Sequence, residues 1–109
     1  MLKLERNHHR LTARLDGEID HHHVLFLRAA LDRVLDDSQA NTLIFDLSRV
    51  DFMDSSGIGL IIGRYKRMQA RGGQTYISAG NAQVDRILTL SGVDQLIRRI
   101  EPPAERSAR

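Results

Sequence analysis

The chain has no cysteine and no tryptophan among its 109 residues, only two prolines, and 5% aromatic residues. Without cysteine there is no disulfide, no thiol nucleophile and no thiolate metal site. So few aromatic rings argue against a stacking platform for single-stranded nucleic acid. Long apolar runs are missing too, and the longest is far too short to span a bilayer. Met1-Leu2-Lys3-Leu4-Glu5 shows no basic-then-apolar leader, so a cytoplasmic location without a membrane partner is expected. Nor is there a block of one charge. The formal net charge is only +2, although arginine usage lifts the pI to 9.5. Basic residues from Arg6 to Arg99 are dispersed among acidic ones. That reads as a solvated surface rather than a nucleic-acid interface.

What remains is enough for one domain with a real core. Leu2–Arg6 and Arg10–Leu15 alternate like two strands of a hairpin turned at Asn7-His8-His9, with Gly17 expected to end the second. Asp20 can cap a helix whose apolar stripe is Val24, Leu27, Leu31, Val34 and Leu35. Thr42-Leu43-Ile44-Phe45-Asp46-Leu47 reads as a strand buried on both faces. A second helix carries Ile58, Ile61, Ile62, Tyr65 and Met68 on one side and stops at Gly72-Gly73. Then come a strand at Gln74–Ala79, a short helix with Val84, Ile87 and Leu88, and a final edge strand at Leu96–Ile100. The pattern predicts an α/β fold with a mixed sheet of about four or five strands and helices mainly on one face. The domain is expected over 1–100, with 101–109 a flexible tail. In such a sheet the strand C-termini share an edge, which would gather Glu18–His21, Asp54-Ser55-Ser56 and Gly80-Asn81.

The most informative stretch is Phe52-Met53-Asp54-Ser55-Ser56-Gly57-Ile58-Gly59, where the buried strand hands over to the second helix. Asp54 or Ser55 is the natural N-cap, and the first-turn N–H groups there are unpaired within the helix. The positive end of the helix dipole welcomes phosphate, so a serine exposed at this point can be switched by phosphorylation. A cap needs one such residue, and here three precede two glycines. From the residues alone, a plain cap and a modifiable site both stay open.

This stretch, followed by Gly63-Arg64-Tyr65-Lys66, resembles the signature of the anti-sigma factor antagonists of the STAS-domain family. Gly17-Glu18-Ile19-Asp20-His21-His22 resembles a second family motif, at the expected distance upstream, and the pair is nearest the sporulation members. The resemblance runs from about Leu2 to Ile100. It implies the STAS fold, with a usual closing helix that would here be short or absent, since Glu101–Arg109 is short and interrupted by Pro102-Pro103. It implies a non-catalytic switch controlling a sigma factor and so transcription. The unphosphorylated protein, monomeric when free, would bind an anti-sigma factor that is also a serine kinase, and thereby release the sigma factor. Ser55 matches the phosphorylated serine. Asp20, His21, Asp54, Ser56, Gly57 and Arg64 match the partner-binding region. ATP and Mg²⁺ would come with the kinase, and a PP2C-type serine phosphatase would reset the switch.

Rival chemistries fit less well. His21-His22-His23 invites a metal reading, but adjacent histidines on a helix start diverge by about 100°. No Gly-x-Ser-x-Gly elbow supports a serine hydrolase. The Asp54–Gly59 turn lacks a P-loop lysine, and Asp54 would repel phosphate, which leaves at most a weak nucleotide-binding domain. No cofactor is expected. Arg64 and Lys66 are expected to face solvent, where they could meet an acidic partner. The remaining alternative is a non-switching STAS scaffold whose serine is never modified.

Overall fold

The computed structural model describes residues 1–101. The proline-interrupted segment, and with it the expected tail and the short or absent closing helix, lies outside the described residues. In chain order the elements are β1 (Leu2–Asn7), β2 (Arg10–Ile19), α1 (His21–Asp37), β3 (Thr42–Met53), α2 (Ser55–Ala70), β4 (Gln74–Ser78), α3 (Ala82–Ser91), α4 (Val93–Leu96) and β5 (Arg98–Ile100). The five strands form one sheet in sequence order. β1 runs antiparallel to β2, and every later pair is parallel. Each crossover therefore steps one strand in the same direction. Right-handed connections of that kind leave α1, α2 and α3 side by side on one face. The mixed, one-sided α/β architecture is the one expected from the sequence.

The core lies between this helix layer and the sheet. Leu11, Ala13 and Leu15 of β2 and Leu43, Phe45 and Leu47 of β3 are fully buried, as are Leu27, Leu31 and Leu35 of α1. Lateral pairing of Leu11 with Leu43 and of Ala13 with Phe45 puts these residues on one side of the sheet. Lys3, Arg14, Asp46 and Ser78 are paired across the other side. All of Leu43–Leu47 is buried, so the central strand is covered on both faces as its composition predicts.

The ends of β2 and β3 and the start of β5 differ from expectation, and the first two matter for the site. β2 does not stop at Gly17. That residue adopts a left-handed φ of 82° at a register shift. The shift is a bulge that only glycine accommodates cheaply. Beyond it Glu18 pairs with Phe52 and Ile19 with Met53. β3 correspondingly runs on to Met53, although Ser48, Arg49 and Asp51 break its apolar run. The polar residues hide the continuation because only Val50 and Met53 of it are buried, and pairing with the resumed β2 holds the rest. At the other end, Leu96 and Ile97 belong to α4 and its cap, and the edge strand is only Arg98–Ile100.

Candidate functional site

The sheet's C-terminal edge carries three helix starts, each capped by an Asx side chain. Asp20 caps α1, its Oδ1 accepting from the His22 N–H at 3.0 Å. Asp54 caps α2, its Oδ1 accepting from the Ser56 N–H at 2.8 Å. Asn81 caps α3, its Oδ1 accepting from the Val84 N–H at 2.8 Å. In all three the cap residue is extended, so its side chain folds back over first-turn donors that the helix cannot satisfy.

These starts are tied to each other. The Asp54 N–H donates to the Ile19 carbonyl at 3.2 Å, which sets the α1 and α2 caps on neighbouring strand ends. The Asn81 side-chain amide donates to the carbonyls of Val50 (3.1 Å) and Asp51 (3.2 Å). Gln83 pairs with both peptide groups of Met53, accepting from its N–H and donating to its C=O, each at 3.2 Å. Glu18–His21, Asp54–Ser56 and Asn81 thus stand together, as the shared-edge argument expects.

Within this edge Ser55 is exposed, while Asp20, Asp54 and Ser56 are half-buried and His21 is exposed. Ser55 is the first residue of α2. A phosphate there would sit at the positive end of the helix dipole, so charging the site is compatible with the fold. At Asp20, burial by itself would raise the carboxyl pKa. The His22 N–H bond, the His23 side-chain bond and the charges of both imidazoles outweigh it and hold the pKa below the ordinary value. His23 Nδ1 lies 2.8 Å from Asp20 Oδ1. His21 instead lies against the ring of His22, with centroids 4.1 Å apart.

Two of the residues expected to touch a partner are inside the protein. Gly57 is buried, and a Cβ there would stand 2.5 Å from Met53 Cγ and 3.1 Å from Ile19 Cγ2. It lets α2 close on the two strand ends. Arg64 is corrected more sharply. It is only 7% exposed, not solvent-facing, and its Nε lies 3.0 Å from Asp32 Oδ1 on α1, although that N–H is not aligned for a hydrogen bond. Burial lowers its pKa and Asp32 opposes the shift, while Arg28 and Arg67 add to it. Arg67 joins the same carboxylate at 2.8 Å and also pairs with Asp36. The signal was available in the sequence: Arg64 falls between Ile61 and Met68 on the buried stripe of α2, opposite acids at i and i+4 of α1. Lys66 is exposed as expected. Sequence reasoning missed Gln83, whose bonds reach across thirty positions and leave no local pattern.

This fold and edge define an α/β interaction domain, and the STAS domain model matches residues 1–106. The chain belongs to the STAS-domain family. It is 38% identical over 98 residues to the anti-sigma F factor antagonist of Paenibacillus polymyxa, covering 88% of this chain and 84% of that protein. Among solved structures, the anti-sigma factor antagonist SpoIIAA in its unphosphorylated form superposes with a TM-score of 0.85 at 29% identity, over 99% of this chain and 93% of that one. The phosphorylated form of SpoIIAA, a Bacillus cell fate determinant, gives 0.77 at 28% identity, over 99% and 96%. Among the described residues no helix is long and apolar enough to cross a membrane.

Proposed function

We propose that this protein is an anti-sigma factor antagonist, and that Ser55 is its phosphorylation switch. Unphosphorylated, it binds an anti-sigma factor through the edge formed by Asp20, His21, Asp54, Ser55 and Ser56, and a sigma factor is freed. The anti-sigma factor is the kinase. The Ser55 Oγ attacks the γ-phosphorus of ATP, the bond to the ADP oxygen breaks, and the hydroxyl proton leaves to a base of the kinase. Mg²⁺ and ATP belong to that partner, so this chain is a substrate and not an enzyme. Hydrolysis by a PP2C-type phosphatase restores the hydroxyl. The cytoplasm, where sigma factors act, is the setting.

One observation carries the reading. Ser55 is the exposed first residue of a helix whose cap is built from below by buried residues. Its hydroxyl is reachable while its backbone is fixed. Adding up to two negative charges beside Asp54 opposes any acidic or apolar partner surface through repulsion and desolvation. That is how the phosphoprotein lets go. Gly57 and Arg64 support the surface from within and are not direct contacts.

Incubation with the partner kinase, ATP and Mg²⁺, followed by phosphopeptide mapping, tests it. The expected product carries one phosphate, on Ser55 and not on Ser56, Thr12 or Thr89. Ser55→Asp should weaken binding to the kinase by several kcal/mol where the charge is desolvated. Ser55→Ala should bind and lose the off-switch. Absence of phosphate uptake would favour a non-switching STAS scaffold.

A further inference from the structure

The last residues of β3 have a strand on one side only. β4 pairs with β3 from Thr42 to Asp46 and ends at Ser78. The chain then turns through Ala79 and Gly80, both at positive φ (63° and 147°), into α3. Beyond Asp46, the β3 edge facing α3 has no strand beside it among the described residues. Unsatisfied peptide groups there would have to find water or side chains.

Side chains of α3 and its cap take that place. Asn81 covers the carbonyls of Val50 and Asp51 while its own oxygen caps α3. Gln83 goes further. Its oxygen accepts from the Met53 N–H and its nitrogen donates to the Met53 C=O. A side-chain amide that pairs with both groups of one residue does what a neighbouring strand's peptide would do. On the opposite edge, the next N–H, that of Asp54, is held by the Ile19 carbonyl. The Met53 side chain is fully buried and lies where a Gly57 Cβ would be. Residues 53 and 54 are therefore fixed from both edges and from below, immediately before Ser55.

We propose that Gln83 is a positioning residue for the Ser55 switch: its amide, paired with both peptide groups of Met53, sets where the Asp54 cap and the Ser55 hydroxyl stand. The proposal rests on the Ser55 reading given above. Gln83 itself is exposed and touches no reacting atom. Its effect on phosphate transfer is through alignment, and transfer rates fall steeply when the nucleophile is displaced from line. Docking depends on the whole edge and is less sensitive to one loosened peptide.

The test uses Gln83→Met, which keeps length and removes both bonds, and Gln83→Glu, which keeps the acceptor and loses the donor. Hydrogen exchange at the Met53 amide, thermal unfolding, and kcat and KM for phosphorylation by the partner kinase are measured on each. Gln83→Met is expected to speed Met53 exchange and to lower kcat, each by roughly three- to tenfold for lost neutral hydrogen bonds. KM should change little, the unfolding midpoint should fall by no more than about 4–8 °C, and Gln83→Glu should fall between. A parent that takes no phosphate at Ser55 overturns the switch reading and this proposal with it. A parent phosphorylated on Ser55 beside a Gln83→Met variant of unchanged kcat overturns the role of Gln83 alone. Should Gln83→Met not fold, Gln83→Glu decides by the same readouts.

Discussion

The starts of α1 and α2 use the same local device and end in different states. Each has an aspartate in extended conformation whose Oδ1 accepts from the second helical N–H. At α1 the cap is followed by exposed histidines, and a turn further on by Leu25 and Phe26, which are 70% and 63% exposed. At α2 the cap stands on Ile19, Met53, Gly57 and Gln83. Equal caps therefore do not make equal sites. The capping bond satisfies one donor, and what further holds the start of α2 is packing brought in from other elements.

That contrast can be broken or sharpened by substitution. Because Leu25 and Phe26 near the α1 start are exposed, the helix must be held by its deeper stripe. Leu31→Ala, at a fully buried position, should cost about 2–5 kcal/mol in denaturant unfolding, whereas Leu25→Ala should stay within about 0.5 kcal/mol. A large loss from Leu25→Ala would mean that the α1 start is buttressed too.

Next in size is Gly57→Ala. Its Cβ would overlap Met53, and overpacking of this kind costs about 1–3 kcal/mol, read by the same denaturant midpoint. Gly59, two residues on, sharpens the point because nothing lies within 4 Å of a Cβ there. Gly59→Ala should raise stability by about 0.5–1 kcal/mol through helix propensity. If both glycines respond alike, the difference between them is not packing.

The smallest effect is expected at Asp20. Asparagine can still cap, so Asp20→Asn should leave the melting midpoint at neutral pH almost unmoved, while affinity for the anti-sigma factor falls. The acid limb gives a second readout. The folded-state pKa lies below the ordinary 3.8. The carboxylate's stabilising contribution is therefore complete above that value and is lost as pH falls through the lower folded value. Melting curves of the parent should lose this increment below about pH 4, and those of Asp20→Asn should not. Loss of folding with intact affinity in the variant would make Asp20 purely structural.

Much of this could be read from the chain itself. Helical spacing in Val24–Leu35 and Ile58–Met68 located two helices and their buried sides, and the Asp54-Ser55 junction between an apolar strand and a stripe marked the site. The bulge at Gly17 and the polar continuation of β3 could not be read, because a glycine at a strand end and a glycine within a bulge look the same locally. Arg64 lies inside rather than facing solvent because its position on the stripe outweighs its charge. An arginine can be buried once a carboxylate such as Asp32 meets it.

By itself the sequence determined the α/β class, the Asp20 cap and a serine at the start of the second helix, since these follow from spacing within a few residues; that Asp54 rather than Ser55 caps α2, and that Asn81 caps α3, came from the structure. Only the tertiary structure decided which first turn is braced by side chains from other elements. That depends on contacts between Met53 and Gln83, Asp54 and Ile19, and Arg64 and Asp32, whose partners are distant in the chain and meet only when the strands pair and the helices pack.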